Sequence, residues 1–227
     1  MDRYNALVID DEIENLDLIK TLLNESFNVH GAGDGEEGFN LALKLIPDVI
    51  LLDIGLPKID GLKVCDKLRN HEATRHVPII MLTASKDSES IVKAFNNGAD
   101  DYISKPYRGT ELVSRVLSKV RRLSETRPSK NSEIVCGNLK IAVERMSIII
   151  DARPVTLSLL EFTLLKYLVE NRDKVLSREK ILQAVWKEEK VSDRTVDTHM
   201  VSLRKNLKGF DHVIDTVYGA GYILKKS

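Results

Sequence analysis

The sequence has no surplus of either charge, almost no cysteine and no long apolar run. Lys and Arg total 34 and Asp and Glu total 34 in 227 residues, so the formal charge is zero, and the total by itself names no oppositely charged partner. Cys65 and Cys136 are the two cysteines, with no CxxC or Cys/His spacing around them. Neither a disulfide framework nor a zinc site is suggested. No apolar stretch approaches the roughly 20 residues that span a bilayer, and Met1-Asp2-Arg3-Tyr4 lacks the charged-then-apolar layout of a signal peptide. The expectation is a cytoplasmic protein with no membrane partner. Internal repeats and low-complexity tracts are missing as well. What is there is 43% hydrophobic residues, over a length suited to one large domain or two of ordinary size, which argues against disorder.

The zero charge conceals two unlike halves. Residues 1–122 sum to −4 and residues 123–227 to +4, an asymmetry that suggests a different partner for each, with nucleic acid for the second. The first half alternates apolar runs with segments of helical period. The runs are Ala6-Leu7-Val8-Ile9, Val49-Ile50-Leu51-Leu52, Pro78 to Leu82 and Tyr102-Ile103, with a weaker one near Val29; the periodic segments pass through Leu16, Phe39, Leu62, Ile91 and Leu112. Runs of four or five apolar residues read as strands buried on both faces. Five repeats of strand then helix predict an α/β fold, a doubly wound five-stranded parallel sheet of the flavodoxin-like kind. Arg121 to Glu133 is polar and aperiodic and reads as a linker. Beyond it, Leu139 to Ile150 reads as short strands, and three helical patterns run from Leu157 to Glu170, Ser177 to Trp186 and Asp193 to Leu207. His212 to Leu224 reads as a hairpin turning at Gly219-Ala220-Gly221.

In a doubly wound sheet, ligands bind outside the carboxyl ends of the strands. There Asp10 and Asp11 end the first run, Asp53 the third and Thr83 the fourth, and Lys105 follows the fifth. Crowded acids repel one another unless a cation sits among them, and a hard, oxygen-only set suits Mg2+. A Mg2+ and Lys105 flanking one carboxylate can neutralise a phosphoryl group being transferred to it.

Asp10-Asp11, Leu51-Leu52-Asp53-Ile54-Gly55-Leu56-Pro57 with Asp60-Gly61, Met81-Leu82-Thr83-Ala84, Gly98-Ala99-Asp100-Asp101-Tyr102 and Lys105-Pro106-Tyr107 come in this order. In order and spacing they resemble the receiver domain of two-component response regulators. The resemblance implies that Asp53 accepts a phosphoryl group from a sensor histidine kinase. It implies that Asp11, Asp53 and the backbone carbonyl of Gly55 bind Mg2+, with Asp10 helping through water, and that Thr83 and Lys105 grip the phosphoryl oxygens. A cis Lys105-Pro106 peptide is expected, as is a switch in which Thr83 moves toward the phosphate and Tyr102 turns into the space left.

In the second half, Val196, Met200, Leu203 and Leu207 recur at helical spacing and predict a buried stripe. Thr195, Thr198, His199 and Ser202 predict an exposed polar face, flanked by Arg194, Arg204 and Lys205. Small hydrogen-bonding side chains edged by cations suit a major groove, with bases read centrally and phosphates held at the edges. With Ser177 to Trp186 before it and Ile214 to Tyr222 after it, the stretch resembles the winged-helix effector domain of the OmpR/PhoB family. The resemblance implies base-facing roles for Thr195, Asp197, Thr198 and Ser202. It implies phosphate contacts from Arg194, His199, Arg204 and Trp186, and a hairpin wing carrying Tyr218 in the adjacent minor groove.

The chain departs from the family pattern in three places. Tyr218 and Ser202 stand where members can carry Arg, which predicts a shallower salt dependence of DNA binding. Ile91 stands where many members have a Lys that pairs, across an active dimer, with the position of Glu111. Asp100, Asp101, Arg115 and Arg122 remain for the other pairs of that interface.

The organisation expected is a receiver at 1–122, a linker at 123–133 and a winged helix-turn-helix domain at 134–227. The function expected is a phosphorylation-dependent transcriptional regulator and not an enzyme. It would bind repeated half-sites on double-stranded DNA as a homodimer, with RNA polymerase as a further partner. Two alternatives stay open: a winged-helix regulator that needs no phosphorylation, and an Asp-nucleophile phosphatase, which needs a second acid where Gly55 stands.

Overall fold

Successive side chains of a strand point to opposite faces, and the first half of the chain uses this to coat both sides of one sheet. In the computed structural model the described residues are 3–84, 94–95, 97–124, 133–143, 146–186 and 193–227, with 121–124 described in backbone only. The strands are β1 (Tyr4–Ile9), β2 (Phe27–Ala32), β3 (Val49–Asp53), β4 (Ile79–Thr83) and β5 (Asp101–Ser104). They lie in the order β2-β1-β3-β4-β5, and every neighbouring pair is parallel. Helices α1 (Ile13–Leu23), α2 (Gly35–Leu45), α3 (Gly61–Asn70) and α4 (Gly109–Ser124) cover the sheet. Leu7, Ile9, Ile50, Leu52, Ile79 and Met81 face one layer, with Val64 and Leu68 of α3. The alternate residues Ala6, Val8, Val49, Leu51, Ile80 and Leu82 face the other, with Ile19 of α1 and Leu112, Val116 and Val120 of α4. Each such Leu or Ile contributes about 1.5–3 kcal/mol on full burial.

The chain leaves β1 for β2 on one side and returns to β3 on the other, so the switch point lies between the carboxyl ends of β1 and β3. Asp10 and Asp53 stand at those two ends. Gly61 keeps the start of α3 against this place. A Cβ there would lie 2.0 Å from the backbone oxygen of Asp53, so only glycine fits. Asp60 caps α3 by accepting from the Leu62 N–H at 2.8 Å, and Asp34 caps α2 from Glu36 and Glu37.

By internal packing the chain divides between Arg122 and Leu123. The second unit opens on an antiparallel sheet ordered β6 (Glu133–Cys136), β7 (Leu139–Ala142), β8 (Ser147–Ile150), β9 (Arg153–Val155). Helices α5 (Leu159–Glu170), α6 (Arg178–Val185) and α7 (Asp193–Asn206) follow, then the hairpin of β10 (His212–Val217) and β11 (Gly221–Lys226). Ser158 and Glu161 close a reciprocal capping box on α5, and Ser177 caps α6. Leu164, Leu165, Leu168, Ile181, Val196, Met200, Leu203 and Leu224 are buried in this unit.

The expected linker is corrected at both ends. Arg121 to Ser124 continue α4, and Glu133 opens β6; the residues between lie outside those described. Strands β6 and β9 were not expected. Pro154 lowers the strand signal of Arg153–Val155, and β9 holds it at the edge of the sheet, where a missing N–H costs no ladder bond. The helix expected through Ile91 also lies outside the described residues, apart from helical Ala94 and Phe95. Cys65 and Cys136 are free and buried; burial pushes the Cys65 thiol up to about 12. Among the described residues no helix is long and apolar enough to cross a membrane.

Candidate functional site

Carboxylate oxygens of Asp10, Asp11 and Asp53 lie within 4.8 Å of one another at the switch point of the sheet. Asp10 is wholly buried, Asp53 nearly so, and Asp11 is exposed. Lys105, one residue beyond β5, places its Nζ 2.8 Å from Asp10 Oδ2 and 2.8 Å from Asp53 Oδ1. Asp10 also accepts from the Glu12 N–H at 3.0 Å and from Asn15 Nδ2 at 3.2 Å, while Gly55 N–H donates to Asp53 Oδ2 at 3.0 Å. Thr83 ends β4 beside them, buried, with its carbonyl accepting from Lys105 N–H at 2.7 Å. The Lys105-Pro106 peptide is cis.

Burial pushes the Asp53 carboxyl above its ordinary value, and Asp10 adds to this; together they outweigh the lowering by Lys105 and the Gly55 amide. Burial pulls Lys105 down, but the two carboxylates more than offset it and its ammonium is held above the ordinary range. One ammonium against three carboxylates leaves excess negative charge on an all-oxygen donor set. That chemistry fits a hard divalent cation such as Mg2+.

Two neighbours carry no sequence-derived role. The Tyr107 hydroxyl is buried without a hydrogen-bond partner among the described residues, and burial raises its pKa. Asn15 reaches Asp10 from α1, five residues along, and no spacing rule marks it. Tyr102 is half-buried on β5, with its ring edge-on to Phe95 at 5.9 Å.

The acids expected at a dimer interface have partners within the first unit. Asp100 is buried, paired with Arg69 of α3, and accepts from the Ile79 N–H at 2.8 Å. Asp101 is buried too, paired within the chain to Arg115 and Lys119, each at 2.9 Å. Both are satisfied inside the first unit, Asp100 by Arg69 of α3 and Asp101 by the cations of α4, which lies over the start of β5. Glu111 is exposed and pairs with Arg115 one turn on, at 3.2 Å. The Arg122 side chain lies outside the described residues, as does Ile91.

In the second unit, α7 packs against α5, α6 and β10. A helix held on so many sides buries an arc wider than the Val196, Met200, Leu203 stripe. The expected exposed face is corrected accordingly. Thr195 is wholly buried and His199 nearly so, the latter 5.4 Å from the ring of Trp186, which is buried as well. The Ser202 hydroxyl donates inward to Glu161 of α5 at 2.5 Å. Asp197 accepts from Arg178 Nε at 2.7 Å and from the Tyr222 hydroxyl at 2.6 Å. Arg204 ties α7 to the hairpin through the Ile214 carbonyl at 2.8 Å and the Thr216 hydroxyl at 2.9 Å. Arg194 and Lys205 stay exposed, Thr198 half-exposed, and Tyr218 stands fully exposed in the hairpin turn. Val201, missed by the sequence reading because an apolar residue outside the stripe carries no signal, is also exposed.

Comparison with known proteins follows the same division. Residues 6–117 match the family described as response regulator receiver domain, and residues 152–224 match transcriptional regulatory protein, C terminal. The transcriptional regulatory protein SrrA of Staphylococcus aureus is 40% identical, over 95% of this chain and 93% of its own. The response regulator DrrB, a Thermotoga maritima OmpR/PhoB homologue, is 30% identical over 99% of this chain and 100% of its own, with a TM-score of 0.50. A mutant of RitR is 27% identical over 99% and 100%, with a TM-score of 0.67. SrrA is a transcriptional regulatory protein and the two matched families are those of response regulators, which sets the phosphatase alternative aside. With both halves matched in order, and a relative aligned nearly end to end, the chain belongs to the OmpR/PhoB-type response regulators, transcription factors with a receiver domain followed by a winged-helix DNA-binding domain.

Proposed function

We propose that residues 1–122 receive a phosphoryl group on Asp53 and that residues 134–227, joined through 123–133, bind DNA in response. A carboxylate oxygen of Asp53 attacks the phosphorus of a phosphohistidine on a sensor kinase. The P–N bond breaks, and the imidazole nitrogen leaves and takes up a proton. The observation that carries this reading is Lys105, whose ammonium lies 2.8 Å from Asp53 on the sheet end where the acids gather. That ammonium would neutralise phosphoryl oxygens, and the Thr83 hydroxyl would donate to them. Asp10, Asp11, Asp53 and the Gly55 carbonyl would hold Mg2+, which when bound supplies charge neutralisation to the group being transferred. Thr83 and Tyr102 would then act as the switch.

Phosphorylation would favour a homodimer through the surface of β5 and α4 that bears Glu111 and Arg115, setting two second units on repeated half-sites. Effective concentration then supplies affinity that one unit lacks. In each unit α7 would enter the major groove, with Arg194, Arg204 and Lys205 toward phosphates, Thr198 toward bases, and the Tyr218 turn as the wing. RNA polymerase would be the partner of the bound dimer.

Incubation with acetyl phosphate tests the first step: the wild type should gain one acid-labile phosphate and Asp53→Ala none. Retained phosphorylation in that variant would remove Asp53 from the role. Comparing DNA affinity with and without beryllofluoride separates a phosphorylation-dependent regulator from an independent one.

A further inference from the structure

We infer that Val201 is a base-reading residue, packing its methyl groups against the 5-methyl group of a thymine. The inference rests on α7 entering the major groove, as proposed above, and adds a specificity determinant to that reading.

Val201 is 64% exposed. Arg194, Thr198, Val201 and Lys205 follow one another at spacings of four, three and four, which makes them one line along the open side of α7. A β-branched residue is a poorer helix former than Lys, Gln or Ala, and at this exposure Val gains little from burial within its own chain. Its presence is not explained by the fold.

The hydrogen-bonding side chains nearby are engaged elsewhere. Thr195 is buried, Ser202 donates to Glu161, and Asp197 is held by Arg178 and Tyr222. The Thr198 hydroxyl donates to the Arg194 carbonyl at 3.0 Å, which leaves that residue its acceptor lone pairs and a methyl to offer, and no hydrogen to donate to a base. The middle of the line is therefore built of methyl groups, with a cation at each end.

Among base edges in the major groove, the one apolar group is the C5 methyl of thymine, while the flanking cations suit phosphates. A protein partner is the weaker match. Protein docking uses contiguous apolar patches of several hundred Å2, and Val201 stands singly among Arg194, Arg204 and Lys205.

The test uses the full chain activated with beryllofluoride and sites selected from random duplex DNA. Each thymine is replaced in turn by deoxyuridine, which removes the methyl alone, and affinity is read by fluorescence anisotropy. At one thymine per half-site the wild type should lose about fourfold, the worth of one methyl-sized contact. At that position Val201→Ala should bind the thymine and uracil sites equally, and Val201→Thr should show an intermediate preference.

A flat uracil scan in the wild type, or an unchanged thymine preference in Val201→Ala, would overturn the inference. Selection that returns no preferred sequence would overturn the groove reading itself and this inference with it, and that failure shows before any thymine is replaced. Because the side chain is exposed and Ala is the better helix former, Val201→Ala should unfold at no lower a temperature than the wild type, which separates a lost contact from a lost fold.

Discussion

The Tyr222 phenol donates a 2.6 Å hydrogen bond to the Asp197 carboxylate, so the last strand holds helix α7 by a charged acceptor. The guanidinium carbons of Arg178 and Arg204 lie 5.0 and 5.5 Å from the centre of the same ring. Asp197 therefore positions α7 against β11 and α6. Tyr222→Phe keeps the ring and removes the bond. It should cost about 1.5 kcal/mol, the low end for a hydrogen bond to a charged group because the carboxylate is partly exposed, read as a lower urea midpoint for the second unit.

Asp100 and Arg69 form a buried pair that also holds the N–H of Ile79 at the start of β4. Asp100→Ala leaves the guanidinium and the amide without their acceptor. The expected loss is about 3–5 kcal/mol, seen in urea unfolding of the first unit, whereas removing the exposed Glu111 carboxylate should change stability by less than about 0.5 kcal/mol.

Thr195 buries a hydroxyl with no hydrogen-bond partner among the described residues. Thr195→Val preserves the shape and removes the orphaned group, and should stabilise the protein by about 1 kcal/mol. DNA affinity should stay unchanged, since the residue is covered. A sequence-selective loss of binding would return Thr195 to the base-facing set.

Burial of Asp53 raises its pKa in the native state, so the native state binds that proton more readily than the unfolded chain. The stability this contributes is present below the ordinary carboxylate range and is lost as pH rises through the native value. Asp53→Asn mimics the protonated form. Its Tm should exceed that of the wild type at neutral pH, and the gap should close in acid. Phosphorylation by acetyl phosphate needs the carboxylate, so its rate should fall in acid at a pH above that of free aspartate.

Mg2+ should raise the Tm of the wild type, by about 2.7 kcal/mol of stability at a hundredfold excess over its Kd. Asp11→Asn should remove most of that shift. Because Asp11 is exposed and its neutralisation relieves repulsion among the acids, the variant should be at least as stable as the wild type when Mg2+ is withheld, which assigns the loss to binding.

The sheet was legible because each central strand is an unbroken apolar run, and such runs fit a sheet covered on both faces. Asp10, Asp53 and Lys105 were legible for a related reason: chemistry placed at strand ends converges once the strands are parallel. Position on α7 was less so. Helical spacing locates the centre of a buried face but not its width, and contacts from α5, α6 and β10 drew in Thr195 and His199. The partner of Asp100 was not legible because Arg69 lies 31 residues away, and no local pattern announces a partner at that distance. The partner of Ser202 was hidden for the same reason, its acceptor Glu161 lying 41 residues back.

The commitment of so much of α7 to the interior has an evolutionary corollary. A change at Asp197, His199 or Ser202 would disturb the packing of α7, whereas Arg194, Thr198, Val201 and Lys205 can vary without cost to the core. Duplicated copies of such a gene could drift to new promoters through these four positions alone. They are also where a designer wishing to retarget the protein would randomise first.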